Sequence, residues 1–194
     1  MLAALTGSAQ NPPPPGLRFH AGISALPVFD VLRLFPSNRI RGAAVMGDFG
    51  CFIRPRLSFG INPYYANVVN EYPTPFLTPY GERLDLTAAG LNVFFRGYIV
   101  SRPAFSAFIL VAGGFGVMNE RLTDLAMPGR RPFLNVNSPV SAFIAGPGFS
   151  WNLTTQLAAE IQVNFVSIDN FSQAQSNAYF TAVLPIFGVR YYWQ

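Results

Sequence analysis

The chain has 194 residues, with 13 basic side chains that are all arginine, nine acidic ones and a formal net charge of +4. Only 11% of residues are charged, 51% are apolar and 15% aromatic, against about 25% charged in an ordinary soluble domain. That balance excludes a disordered chain, which needs high charge and few aromatics, and a coiled coil, which needs abundant Glu, Lys, Leu and Ala.

The chain opens with MLAALTGSAQ, a short apolar run followed by a small-residue segment, as at the end of a secretory signal peptide. Two readings stand: a floppy N-terminal tail, or a signal whose upstream part lies outside this chain. NPPPPG at 11–16 follows, and four prolines favour polyproline II. Residues 1–17 therefore read as a signal-like remnant with a proline-rich tether, and 18–194 as one β-barrel domain. Helices are nearly absent; the best candidates are Val31 to Phe35 and Asn119 to Leu125, both short. No run reaches 18 apolar residues, so no transmembrane helix is expected.

From Arg18 onward the pattern predicts eight strands, near 18–29, 42–53, 57–67, 84–99, 104–118, 138–150, 155–167 and 178–193. They are about twice the usual strand of 5–6 residues and match the roughly 9–11 needed to cross a bilayer at a tilt. Their faces alternate. Leu57, Phe59, Ile61, Pro63 and Tyr65 oppose Ser58, Gly60, Asn62 and Tyr64. Ala89, Leu91, Val93 and Phe95 oppose Gly90, Asn92, Phe94 and Arg96. Leu157, Ala159, Ile161, Val163 and Phe165 oppose Gln156, Ala158, Glu160, Gln162 and Asn164. One face is aliphatic and aromatic; the other is small or polar but lean in charge. An outward apolar face in lipid around a polar interior fits this pattern.

Connections alternate in length. Loops 30–41, 68–83, 119–137 and 168–177 are long, whereas turns 54–56, 100–103 and 151–154 are short. In an eight-stranded antiparallel up-and-down barrel every long loop then falls at one end, the arrangement of transmembrane barrels.

The runs RPRLSFGINPYYAN (Arg54 to Asn67) and LNVFFRGY (Leu91 to Tyr98) and the ending FGVRYYW resemble the outer membrane protein β-barrel domain family, whose small eight-stranded members are common in Gram-negative bacteria. The resemblance covers roughly residues 18–193. It implies localisation in the bacterial outer membrane, contact with outer-membrane lipid and lipopolysaccharide, and insertion by the barrel assembly machinery. It also implies an assembly signal carried by Phe187, Val189, Tyr191 and Trp193, with Gln194 after the last aromatic.

Four charges fall on inward faces: Asp48, Arg96, Glu160 and Arg190. A lone charge in a narrow lumen is costly, so they are expected to form an interior network. Glu160 and Arg190 sit on neighbouring strands; Asp48 and Arg96 must reach across the lumen. Eight strands leave room for side chains rather than a channel. Cys51 shares the apolar face with Val45, Gly47 and Phe49 and reads as a small hydrophobe, and His20 reads as a polar-face residue. A single cysteine and a single histidine exclude an internal disulfide, a multi-cysteine metal site and a two-histidine metal site. No cofactor or metal is expected.

Arg54, Arg56 and Arg102 mark short turns, while Arg130 and Arg131 sit in the longest loop, where they suit anionic lipopolysaccharide. The arginines are too dispersed for nucleic acid. Tyr64, Tyr65, Tyr98, Tyr179, Tyr191, Tyr192 and Trp193 fall close to strand ends and suit interfacial girdles.

The leading reading is a small integral outer-membrane barrel with a structural, adhesion or surface-interaction role, a closed polar interior and no open pore. Two others stand beside it. One is a membrane-embedded hydrolase like the lipid A deacylases, whose His-x-Ser-Asn motif is matched only by Ala174-Gln175-Ser176-Asn177, with alanine in place of the base. No catalytic residue is assigned on that basis. The other is a soluble β-barrel binding an apolar ligand, which requires Leu157, Ile161 and Phe165 to point inward.

Overall fold

The computed structural model describes residues 18–28, 39–72, 82–124, 134–170 and 180–193. Eight antiparallel strands form a closed barrel: β1 (Phe19–Val28), β2 (Arg39–Arg54), β3 (Leu57–Tyr72), β4 (Glu82–Ser101), β5 (Phe105–Asp124), β6 (Leu134–Asn152), β7 (Leu157–Asn170) and β8 (Phe180–Trp193). Each strand pairs with its sequence neighbours, and β1 closes on β8 from Phe19–Trp193 to Ala25–Phe187. Closure pairs the edge strands, which would otherwise present unpaired backbone groups.

Three short turns lie at one end. Pro55 and Arg56 join β2 to β3, with Tyr98 N donating to Arg56 O at 2.9 Å. Residues 102–104 join β4 to β5, closed by Arg102 N to Phe105 O at 2.8 Å. Residues 153–156 join β6 to β7, where the Thr154 hydroxyl accepts from the backbone N–H of Gln156 and Leu157 at 3.2 and 2.9 Å. The four remaining connections lie at the other end, outside the described residues apart from their strand ends.

Those strand ends run further than the sequence pattern predicts. Residues 68–72, 82–83, 119–124 and 134–137, read as loop, continue their ladders. The helix expected from Asn119 is strand through Asp124, because Asn119, Glu120 and Arg121 pair with both β4 and β6. Ladder hydrogen bonds on two sides outweigh a local helical preference. Trp151 and Asn152, read as turn, end β6 opposite Phe105 and β7. Val31 to Phe35 lies outside the described residues.

The faces separate as the alternation requires. Ser58, Asn62, Asn92, Phe94, Arg96, Ala158, Glu160 and Asn164 are buried in the lumen. Phe59, Ile61, Leu91, Val93, Phe95, Val163 and Phe165 are exposed on the outside. Leu157 and Ile161 share the outer face with Phe165, so the inward placement demanded by a soluble apolar-ligand barrel is not found. The outward apolar run Ala89–Ile99 spans ten steps of about 3.3 Å, which a tilt of about 40° projects onto about 25 Å, the height of a lipid-facing band. Exposed Arg54, Arg56 and Arg102 border this band at the turn end; Arg41, Arg121 and Asp169 border it at the other.

The lumen is not uniformly polar. Its turn-end half holds Asp48, Arg96, Glu160 and Arg190 with the amides, and two further charges, Glu82 and Glu120, are buried near the loop-end ends of β4 and β5. Its loop-end half is packed with Leu26, Met46, Val68, Met118, Ile144 and Ile186 among others. The strands there are apolar on both faces, as in Val183–Phe187 and Ala142–Ala145.

Candidate functional site

The charge network is built in the turn-end half of the lumen. Arg96 on β4 donates through Nη1 to both Glu160 oxygens on β7 at 2.9 and 3.0 Å, spanning the barrel. Arg190 on β8 donates through Nη2 to Asp48 Oδ2 on β2 at 2.6 Å. Two longer or poorly aligned ionic contacts join the pairs: Arg190 Nε to Glu160 Oε1 at 3.0 Å, without hydrogen-bond alignment, and Arg96 Nη2 to Asp48 Oδ2 at 3.7 Å. Two cations and two anions thus form an electrically neutral cycle. All four side chains are at most 5% exposed. The expected network residues therefore meet: the Arg96–Glu160 bonds cross the lumen, the Arg190–Asp48 bond reaches over Gly22 of β1, which stands opposite both, and the neighbouring-strand pair Glu160 and Arg190 makes the less well-aligned contact. Alternation placed the four on one face, but only the cross-lumen distances select partners.

Local chain features position the anions. Pro63 stands where the ladder would place a partner for Gly47, and it has no N–H. The side-chain amide of Asn62 donates instead to Gly47 O at 2.8 Å and to Asp48 Oδ1 at 2.9 Å. Asn92 Nδ2 then donates to Asn62 Oδ1 at 3.3 Å, and Asn164 Nδ2 to Gln162 Oε1 at 3.0 Å. A layer of amides lies beside the charges.

Aromatic rings close the turn end. Arg96 stacks over Phe108 at 4.2 Å, a cation–π contact away from water. Phe108 lies across Gly148 on β6: a Cβ there would stand 2.4 Å from the ring. Phe52 packs between Tyr98 and Tyr192 at centroid distances of 5.5 and 6.2 Å. His20, fully buried, contacts Phe52, Phe94 and Tyr192. Arg190 can only donate, so the 3.0 Å contact makes His20 Nδ1 the acceptor and leaves hydrogen on Nε2. Sequence reasoning treated His20 only as a polar-face residue; its interior phase on β1 was the available signal, and its partner was not legible.

Other sequence-selected residues disperse. Phe187, Val189, Tyr191 and Trp193 face outward on β8, with Trp193 stacked on Phe19 at 6.1 Å and on Tyr191 at 6.0 Å. Tyr65 also faces outward, whereas Tyr64, Tyr98 and Tyr192 point into the lumen and do not form an outer girdle. Cys51 is half-buried on the outer face. Ser176, Asn177, Ala174, Tyr179, Arg130 and Arg131 lie outside the described residues. His20, sealed beneath aromatics at the turn end, has no route to a base position at the opposite end.

Solved structures of outer-membrane proteins align with this chain over most of its length with little sequence in common. Neisserial surface protein A is 11% identical, with 90% of this chain and 96% of that one aligned at a TM-score of 0.49. The N-terminal β-barrel domain of Pseudomonas aeruginosa OprF is 13% identical over 90% of this chain and 97% of its own, with a TM-score of 0.42. The attachment invasion locus protein of Yersinia pestis, Ail, is 11% identical over 91% and 97%, also at 0.42. No protein-family model and no curated protein sequence matches the chain.

Proposed function

We propose that this chain is an integral barrel of the bacterial outer membrane with a structural, adhesion or surface-interaction role and no through-pore. One observation carries the reading: large apolar side chains cover the outside while the buried charges lie inside. Phe49, Phe95, Ile99, Phe115, Phe149, Trp151 and Phe187 are each at least half exposed. In water such a surface would drive aggregation; in a bilayer it is the favourable solvent contact. The neutral charge cycle and the rings beneath it block the lumen, which opposes passage of water or solutes.

The long-loop end is assigned to the cell exterior, where lipopolysaccharide is the lipid partner. Phe187, Val189, Tyr191 and Trp193 form a continuous outward aromatic and aliphatic row on the last strand, suited to recognition by the barrel assembly machinery. Membrane fractionation followed by electrophoresis with and without boiling tests the proposal. The protein is expected in the outer-membrane fraction, with the unboiled barrel migrating differently from the boiled chain. Recovery in the soluble fraction with a single migration would overturn it.

A further inference from the structure

We propose that the turn-end rim of β1–β5 is a docking surface for the phosphate headgroups of anionic glycerophospholipid. This inference rests on the membrane reading above and adds which lipid chemistry meets which end of the barrel. Charge is sorted along the barrel axis. Outside the lumen the turn end carries Arg18, Arg54, Arg56 and Arg102 and no acidic side chain. The two arginines and two carboxylates of the interior cycle cancel. Of the 13 arginines and nine acidic residues these leave seven of each, all belonging by chain position to the strand ends and connections of the loop end. They cancel as well, so the whole formal excess of +4 sits at the turn end. The chain before Arg18 holds no acidic residue to offset it.

Register aims two of these arginines at the lipid face. A bulge between Phe52 and Arg54 sets Arg54 opposite Leu57 on the outer wall. A second bulge, between Tyr98 and Val100, leaves Ile99 and Val100 both exposed outside. Arg102 then stands opposite outward Phe105, to whose carbonyl its backbone N–H donates at 2.8 Å. Bulges re-aim side chains at sheet ends in this way. Below the two guanidiniums the wall is apolar: Phe49, Ile53, Phe59, Phe95, Ile99 and Phe105 are exposed. Gly97, opposite Leu57, leaves a notch in it, since a Cβ there would meet nothing within 4 Å. The arginine stems cover apolar surface at the border of the lipid-facing band while the charged heads reach the headgroup layer. A guanidinium grips phosphate through two parallel N–H bonds and is more weakly hydrated than an ammonium; the chain has no lysine. A zwitterionic headgroup brings its own ammonium, so an unbalanced cationic rim favours lipid of net negative charge. A soluble acidic partner would have to meet Arg54 and Arg102 from within the headgroup layer, which favours lipid over protein. The surface is an arc and not a ring, because the β6–β7 turn is neutral: Leu153, Thr154, Thr155 and Gln156.

The test places a fluorophore on Cys51, the single cysteine, which lies on the outer wall of β2 three residues before Arg54. The full chain is refolded into phosphatidylcholine vesicles. Quenching is titrated with phosphatidylglycerol or phosphatidylcholine bearing a nitroxide on an acyl chain. The anionic quencher is expected to act at a several-fold lower mole fraction, and the difference to shrink at high salt. Cys51→Ser with Ala159→Cys moves the label to β7 beside the neutral turn and is expected to show no preference. Arg54→Gln is expected to reduce the preference at Cys51 by up to about fivefold, the worth of one cation at an anionic surface, and adding Arg102→Gln to reduce it further. Arg121→Gln, at the loop end and opposite Asp85, is expected to leave it unchanged. Equal quenching by the two lipids at Cys51 overturns the docking surface while leaving the barrel in the membrane. The same preference at both label positions, or its loss in Arg121→Gln, overturns the assignment to this arc. No quenching by either lipid overturns the membrane reading and the docking surface together.

Discussion

At the residue scale, the interior charges trade desolvation against mutual attraction. Arg96, Arg190, Asp48 and Glu160 are each removed from water, and each retains at least one opposite charge within 3 Å. Removing one partner leaves another buried and unpaired, which typically costs about 3–5 kcal/mol. Glu160→Gln is therefore expected to destabilise the barrel by several kcal/mol, because it removes the negative charge and one of the two acceptor oxygens facing Arg96, and the charge facing Arg190. Arg96→Gln should do likewise. Their double mutant should cost clearly less than the sum, since neither charge is then left alone. Urea unfolding of the refolded barrel over a double-mutant cycle measures the coupling, and strict additivity would remove the Arg96–Glu160 pair as a unit. Alternation identified the four charged side chains as inward. It could not identify partners, because the residues are separated by up to 142 positions in sequence and their proximity follows from closure alone.

At the element scale, the last strand carries two distinct surfaces. Its outer row ends in Tyr191 and Trp193, and Trp193 stacks on Phe19 where β8 meets β1. Its inner row runs from Leu184 and Ile186 to Arg190, from apolar layer to charge layer. Replacing Tyr191 and Trp193 by Ser removes outward apolar surface and the stacked closure contact without touching the lumen. Membrane-inserted protein is expected to fall several-fold, measured as the folded band on an unboiled gel; an unchanged yield would argue against an assembly role for this row. Strand existence was readable from period-two patterning throughout. Strand ends at the loop side were not: residues such as Asn119, Arg121 and Asn137 are polar on the outer face and resemble loop, yet ladder pairing keeps them extended. Hydrophobicity reports where lipid stops, whereas hydrogen bonding decides where the strand stops.

At the scale of the whole molecule, the three short turns share one end and the four other connections share the opposite one. If the loop end faces outward, protease added to intact cells should cleave tags inserted within 73–81 or 125–133 and spare tags at 55–56 or 102–104. The reverse pattern would invert the orientation. The barrel is also layered along its axis: an aromatic seal, a neutral charge cycle with amides, and an apolar layer lined from all eight strands. A closed strand ring and a lumen blocked by side chains together favour a stable anchor over a conduit.

The sequence by itself determined the all-β class, the eight strands, the outward apolar faces and the segregation of turns, because each depends on periodicity or spacing along the chain. It also marked Asp48, Arg96, Glu160 and Arg190 as sharing the polar face. Only the tertiary structure decided that Arg96 reaches Glu160, that Tyr64 turns inward over Gly90 and Gly116, and that an apolar layer follows the charge layer along the lumen. The reason is geometric. A strand's alternation assigns each side chain to a face, but the height at which eight staggered faces meet is set by register and closure, and that height determines whether an inward residue finds a charge, an amide or a cavity.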